Sequence, residues 1–300
     1  MTLWELVAQA TQQLTDAKVS FGHGTTNARD EAAWLVLHAL GLPLDTPLDA
    51  DDLESNRPVA HEEYARAATL LGARISTRKP AAYLTNEAWL QGVSFYVDER
   101  VIVPRSLIAE LLVDGSIDYW LKESTHRVLD LCTGNSSLAV LAAMVYPEVQ
   151  VTGADISTDA LAVARINVDK HLLAERVQLV ESDGLTAVPG PFDLILCNPP
   201  YVNAQSMDAL PAEYRAEPEL ALAGGSDGMD FVRDLLRDLP SRLSPSGVLV
   251  LEIGNERAHF EAAFPQLEAV WLPTSAGDDQ VLLLSFEALS ALNASAAPQP

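Results

Sequence analysis

Apolar residues recur at helical spacing through the amino-terminal part of the chain. Leu3, Leu6, Val7, Ala10 and Leu14 fall on one helical face, and Ala33, Trp34, Leu37 and Leu40 on another. Between them, Phe21-Gly22-His23-Gly24-Thr25-Thr26-Asn27 is a polar, glycine-containing break. Thr26 or Asn27 is placed to cap the second helix, whose first turn carries Asp30 and Glu31. Gly41-Leu42-Pro43 ends it, and after an acidic, proline-containing loop a third helix is expected from His61 to Ser76. No alternating strand signal interrupts this pattern, so residues 1–85 are predicted to form a small helical domain, of the sort that binds a partner more often than it performs chemistry, and a substrate-recognition role is expected for it. Two runs broken at Gly92, 88–91 and 93–97, predict a β-hairpin, making 86–103 a linker. Val101-Ile102-Val103-Pro104-Arg105-Ser106 then opens a helix through Leu112.

From Arg127 the period changes. Short apolar runs at 127–132, 149–154, 177–180, 192–197 and 247–253 alternate with helical stretches at 137–145, 159–172 and 229–243. Two further apolar runs, 268–272 and 280–286, close the chain. Strand–helix alternation of this kind predicts an α/β domain over 104–300, built on a doubly wound parallel sheet.

Such sheets bind ligands beyond the carboxyl ends of their strands, and the residues at those ends carry the candidate chemistry. The run Phe192–Cys197 is followed by Asn198-Pro199-Pro200-Tyr201. Two prolines lack backbone donors, so the ladder stops and the chain leaves extended. The Asn198 side-chain oxygen and the Pro199 carbonyl can each accept a hydrogen bond from a planar NH₂ group, with Tyr201 packing on its face. The plainer alternative is a strand ending in a proline-rich turn. Gly134 follows the first strand, where the backbone must turn tightly; Asp155 ends the second, where an acceptor can hold both hydroxyls of a ribose. Asp183 follows the third, suited to the exocyclic amine of adenine. Each acid alone is more often a turn or helix cap; four successive strand ends together make a constellation. A dinucleotide dehydrogenase shares the strand-two acid but requires Gly-x-Gly-x-x-Gly, and this chain reads Cys132-Thr133-Gly134-Asn135-Ser136-Ser137. Arg105 is a candidate to reach back over the site, since a cation at a helix start opposes the helix dipole.

Composition narrows the partners. The chain of 300 residues is 48% hydrophobic, enough for an ordinary core, and carries 19 basic against 42 acidic residues for a net charge of −23. That field repels nucleic-acid phosphates and favours a basic partner, although solubility alone would also account for it. Direct DNA binding is not expected. No apolar run is long enough to span a membrane, and no basic, then apolar, leader opens the chain, so a cytoplasmic location is expected. Cys132 and Cys197 read as small buried hydrophobes rather than a metal site or disulfide. His23 has no second ligand at metal spacing, and a loop or capping role is expected for it.

These motifs resemble a known family. Asn198-Pro199-Pro200-Tyr201 is similar to the signature of methyltransferases that modify amide or exocyclic amino nitrogens with S-adenosylmethionine. Over nearly its whole length the chain resembles the N5-glutamine methyltransferases of translation proteins. Phe21-Gly22-His23-Gly24-Thr25, Asp30–Leu37, Val103-Pro104-Arg105-Ser106, Asp130-Leu131-Cys132-Thr133-Gly134 and Gly224-Gly225-Ser226-Asp227-Gly228-Met229 are similar to the branch acting on the third protein of the large ribosomal subunit. A sister branch methylates release factors. The resemblance implies a seven-stranded Rossmann-like class I methyltransferase fold with a small helical amino-terminal domain and a linking hairpin. It implies S-adenosylmethionine as cofactor, held by Cys132, Thr133, Gly134, Asn135, Ser136, Asp155, Asp183, Gly184 and Asn198. It implies a basic ribosomal protein as substrate, met by Asn198, Pro199, Pro200, Tyr201 and Arg105, before assembly of the subunit. Two departures stand out: Ser136 where the family usually has a second glycine, and Leu107 where the branch has proline. A serine at 136 either crowds the cofactor loop or merely adds a hydroxyl. A DNA or RNA amino-methyltransferase and a non-catalytic ribosome-assembly binder remain alternative readings.

Overall fold

A computed structural model describes residues 1–296. The amino-terminal unit packs α1 (Leu3–Asp16), α2 (Ala28–Leu40), α3 (His61–Thr77) and the short α4 (Ala81–Thr85) around the predicted apolar faces. Thr2 and Glu5 form a reciprocal capping box on α1, and Asn27 caps α2 through the Asp30 amide at 3.0 Å. This core continues past residue 85, taking in Ala88, Val97, Val101 and Val103, and reaches Ala160 and Val163 of the α/β half. The hairpin pairs β1 (Ala88–Leu90) antiparallel with β2 (Val93–Phe95), and α5 (Ile108–Val113) follows it. Arg105 therefore lies on the segment before the helix, not in its first turn.

The remaining strands are β3 (Arg127–Leu131), β4 (Gln150–Asp155), β5 (Val177–Glu181), β6 (Phe192–Cys197), β7 (Leu243–Glu252), β8 (Val270–Thr274) and β9 (Gly277–Ser285). They form one seven-stranded sheet in the order β5-β4-β3-β6-β7-β9-β8. The first five run parallel and β9 runs antiparallel between β7 and β8. Side chains alternate across the sheet and helices cover both faces, so the central strand β6 is apolar on both sides apart from Asp193. On β6, Leu194 and Leu196 join a core with α5, α6 (Ser137–Val145) and α7 (Thr158–Lys170). Ile195 and Cys197 join the opposite core, where Leu235 and Leu236 of α9 (Asp230–Asp238) and Phe260 of α10 (Arg257–Ala263) pack.

Two expectations are corrected. The helix predicted over 229–243 stops at Asp238, because Pro240 forces a tighter 3₁₀ turn and Leu243 already pairs with Phe192 in β7. The last apolar run ends at Ser285, whose hydroxyl accepts from the Ala288 amide as the chain turns into α11 (Phe286–Ala296). Strand order reverses between β3 and β6, which places the crevice of the sheet between the ends of these two strands.

Candidate active site

A cavity of about 200 Å³ occupies that crevice, bordered by Cys132, Gly134, Asp155, Asp183, Asn198 and Pro200, with Gly184 at its edge. The loop after β3 is braced from below. The fully buried Asp130 carboxylate accepts from the Thr133 hydroxyl at 2.6 Å and the Ala139 amide at 3.0 Å. Burial pushes this carboxyl up to about 7, against the lowering effect of those two donors. Gly134 turns left-handed (φ +53), and an added Cβ would meet nothing within 4 Å; the space it would enter belongs to the cavity. The Gly134 amide donates to Asp155 Oδ2 and the Ser157 amide to Oδ1, both at 2.9 Å, leaving each oxygen a further lone pair. Burial raises the Asp155 carboxyl, partly offset by these amides. Asp183 is exposed at the rim. Thr133 and Asn135 line a smaller adjoining recess of about 30 Å³ together with Arg105 and Asn198. Ser136 borders neither space. Its backbone is left-handed (φ +69), its side chain is fully buried and its hydroxyl has no hydrogen-bond partner.

A second cavity of about 250 Å³ adjoins the first at Asn198 and is lined by Arg105, Pro199, Tyr201, Tyr214 and Asn255 among others. Asn198 borders both cavities and the recess. Among the described residues its side-chain amide has no protein hydrogen-bond partner, nor does the Pro199 carbonyl. Tyr201 is held rather than free: its phenol meets Glu252 Oε1 at 3.2 Å. Burial and the neighbouring Glu252 charge push that phenol well above its ordinary range. Glu252, buried at the end of β7, also accepts from the Ser106 hydroxyl at 2.6 Å and the Leu107 amide at 2.9 Å. Burial raises this carboxyl while those donors lower it.

Arg105 reaches the site but is already partnered. Its Nη1 and Nη2 donate to Glu217 Oε1 and Oε2 at 2.6 and 2.7 Å, and the Val103 amide donates to the same Oε1 at 2.9 Å. Burial alone would raise Glu217, but Arg105, aided by His23, outweighs it and holds the carboxyl at about 2. Glu217 and Glu213 belong to the loop 203–222, which is closed by the Val202 amide donating to Leu222 and the Gly224 amide to Val202. Glu213 accepts from the Ser20 amide at 2.9 Å, from Arg74 at 3.3 Å and from Arg78 at 3.2 Å. His23 lies in the loop between α1 and α2, as expected, and is buried in this joint, 3.6 Å from Glu217 and with its ring 4.3 Å from that of Tyr214. Sequence reasoning passed over Glu213, Glu217, Glu252 and Asn167. The last is a buried α7 residue whose Nδ2 donates to the Asn135 carbonyl at 2.9 Å and the Tyr96 carbonyl at 3.0 Å, joining the cofactor-side loop to the hairpin. None of the four sits in a local pattern that marks it, because each finds its partners far along the chain. Cys132 and Cys197 are both free; Cys132 borders the cavity and Cys197 is buried beneath it. No group of three or more His, Cys, Asp or Glu able to hold a metal is found among the described residues.

A reversed strand inserted into a parallel sheet, with a strand-end cavity facing an Asn-Pro-Pro-Tyr wall, defines a Rossmann-like methyltransferase. A Methyltransferase small domain model matches residues 114–213. The fold is shared with the human Mettl16 catalytic domain solved in complex with a MAT2A 3′UTR hairpin, at TM-score 0.51 and 17% identity over 78% of this chain and 86% of that one. The chain belongs to the ribosomal protein uL3 glutamine methyltransferases. It is 52% identical to the protein of that name from Bordetella pertussis, covering 96% of each chain. To that of Burkholderia pseudomallei it is 51% identical over 97% of this chain and 96% of the relative.

Proposed function

We propose that this chain transfers a methyl group from S-adenosylmethionine to the side-chain amide N5 of a glutamine in ribosomal protein uL3, in the cytoplasm and before the subunit assembles. One observation carries this reading: Asn198 and the Pro199 carbonyl, acceptors without protein partners, stand where the two cavities adjoin. The residues on the sheet side fit the cofactor. Asp155 would hold the ribose hydroxyls, Asp183 and Gly184 the adenine edge, and the Cys132–Asn135 loop the amino-acid end, with Gly134 leaving the backbone bare toward the cavity; Ser136, set back from both spaces, would not touch it. When bound, S-adenosylmethionine supplies an electrophilic methyl group. No helix among the described residues is long and apolar enough to cross a membrane, and the strongly acidic chain suits a basic protein acceptor.

An amide nitrogen is a weak nucleophile because its lone pair is delocalised into the carbonyl. The work of the chain is therefore orientation. Asn198 Oδ1 and the Pro199 carbonyl accept the two N–H groups of the glutamine amide, which favours a more pyramidal nitrogen facing the sheet-side cavity. Pro199 and Pro200 keep these acceptors from relaxing, and a tethered orientation of this kind is worth roughly 7–11 kcal/mol in favourable cases. The nitrogen loses its proton after transfer, when it has become acidic, so no base is needed beside Asn198.

The reading is tested by intact-mass spectrometry of ribosomal proteins and release factors from cells with and without the gene, complemented by wild type or Asn198→Ala. Loss of one methyl from uL3, restored by wild type only, is expected, with turnover of the variant lower by about a hundredfold or more while cofactor affinity holds. Loss from a release factor instead would assign the sister activity, and near-wild-type turnover by the variant would remove Asn198 from the chemistry.

A further inference from the structure

The glycine–histidine break of the amino-terminal unit has no place in the chemistry so far, yet it faces the site. Tyr214 lines the second cavity. Its ring lies 4.3 Å from the His23 ring and 5.4 Å from the Arg105 guanidinium. Gly22 closes on it as well: a Cβ there would lie 2.6 Å from the Tyr214 hydroxyl oxygen. The loop bearing Gly22 and His23 is itself tied to the residue beside Tyr214, since the Ser20 amide donates to Glu213 at 2.9 Å and Arg74 bridges Glu213 to the Ser20 carbonyl. His23 is 1% exposed, and neither ring nitrogen has a hydrogen-bond partner. Its contribution is therefore its ring face and its contact with Glu217, rather than a hydrogen bond of its own.

We propose that His23 is a positioning residue for the acceptor: with Gly22 it fixes Tyr214 in the wall of the second cavity, so the amino-terminal unit completes the slot that receives the glutamine side chain. This rests on reading the second cavity as the acceptor side. A slot lined by Pro199, Tyr201 and Tyr214 suits an aliphatic side chain that ends in a carboxamide, because flat apolar faces take the methylenes and Asn198 takes the amide. Loss of the His23 ring frees Tyr214 to rotate and widens the slot, without touching the cofactor cavity.

The test is steady-state methylation of purified uL3 by full-length His23→Ala, Tyr214→Ala and the double variant, with cofactor affinity measured separately by calorimetry. The expected result is an acceptor KM raised about tenfold in each single variant, with kcat within about twofold and cofactor affinity unchanged. The double variant should be no worse than Tyr214→Ala, because His23 acts through that ring. His23→Phe, which keeps an aromatic face, is expected to recover most of the lost affinity and guards against His23→Ala failing to fold. An unchanged acceptor KM in His23→Ala or Tyr214→Ala, or multiplying effects in the double variant, would overturn the inference. Wild-type protein that methylates no uL3 would instead overturn the activity on which it rests.

Discussion

At position 136 the backbone turns left-handed around a residue that has a Cβ, and the hydroxyl it brings is buried without a partner. The left-handed turn costs a non-glycine residue roughly 1–2 kcal/mol, and an orphaned hydroxyl about 1 kcal/mol more. Glycine gives back roughly 0.5–1 kcal/mol through the greater freedom of its unfolded chain. Ser136→Gly should therefore stabilise the protein by about 1–2.5 kcal/mol, raising the thermal midpoint by several degrees, with cofactor affinity nearly unchanged because residue 136 borders neither cavity. Calorimetric melting decides it: a lowered midpoint would mean that the hydroxyl is satisfied in solution. The residue-scale chemistry was unevenly legible in the sequence. Asn198, Asp155, Asp183 and Gly134 stood out because strand ends in a doubly wound sheet converge. Glu217 did not, because a carboxylate becomes a buried anchor only through a partner 112 positions away, and no local pattern marks that.

The element that carries the acceptor, the turn Asn198–Tyr201, is set by its far end. Tyr201 packs against Gly254, just past β7, where φ is +52 and a Cβ would lie 2.6 Å from the ring. An alanine at 254 is strained in its own backbone and must displace the ring. The turn would then swing on its prolines and move Asn198, and a misplacement of about 1 Å costs on the order of a hundredfold in rate. Gly254→Ala is accordingly expected to lower kcat by about tenfold to a hundredfold while cofactor affinity is retained; a wild-type kcat would show that the turn holds its shape without Tyr201. At this scale the sequence was most readable. Phe192–Cys197 is a strand over the predicted residues, because an apolar run flanked by a double proline has few other solutions. The helix before β7 was overrun, since its apolar spacing continues through Pro240 into a strand that periodicity alone does not separate.

Over the whole molecule, the helical unit and the sheet are joined by buried charge. Glu217 binds Arg105 and contacts His23, and Glu213 binds Arg74 and Arg78. Buried pairs add little to stability relative to apolar packing, but breaking one leaves an uncompensated charge. With Glu217 held at about 2 against an ordinary 4.5, the folded protein takes up this proton less readily than the unfolded chain. Its contribution, about 3 kcal/mol, is complete above the ordinary value and is lost as the pH falls from there toward 2. The stability difference between wild type and Glu217→Gln, followed by urea unfolding, should be largest near neutrality and shrink below about pH 4. A difference that stays constant with pH would show that Glu217 acts by shape alone. A helical unit that wraps a carboxylate-bearing loop of the enzyme half is also not a detachable cassette in inheritance. Relatives that exchange it for another must exchange the stretch around Glu213, Tyr214 and Glu217 in the same event. A change in the helical unit should thus leave paired traces, one in the first third of the gene and one shortly after the Asn198–Tyr201 turn, with the stretch between them undisturbed.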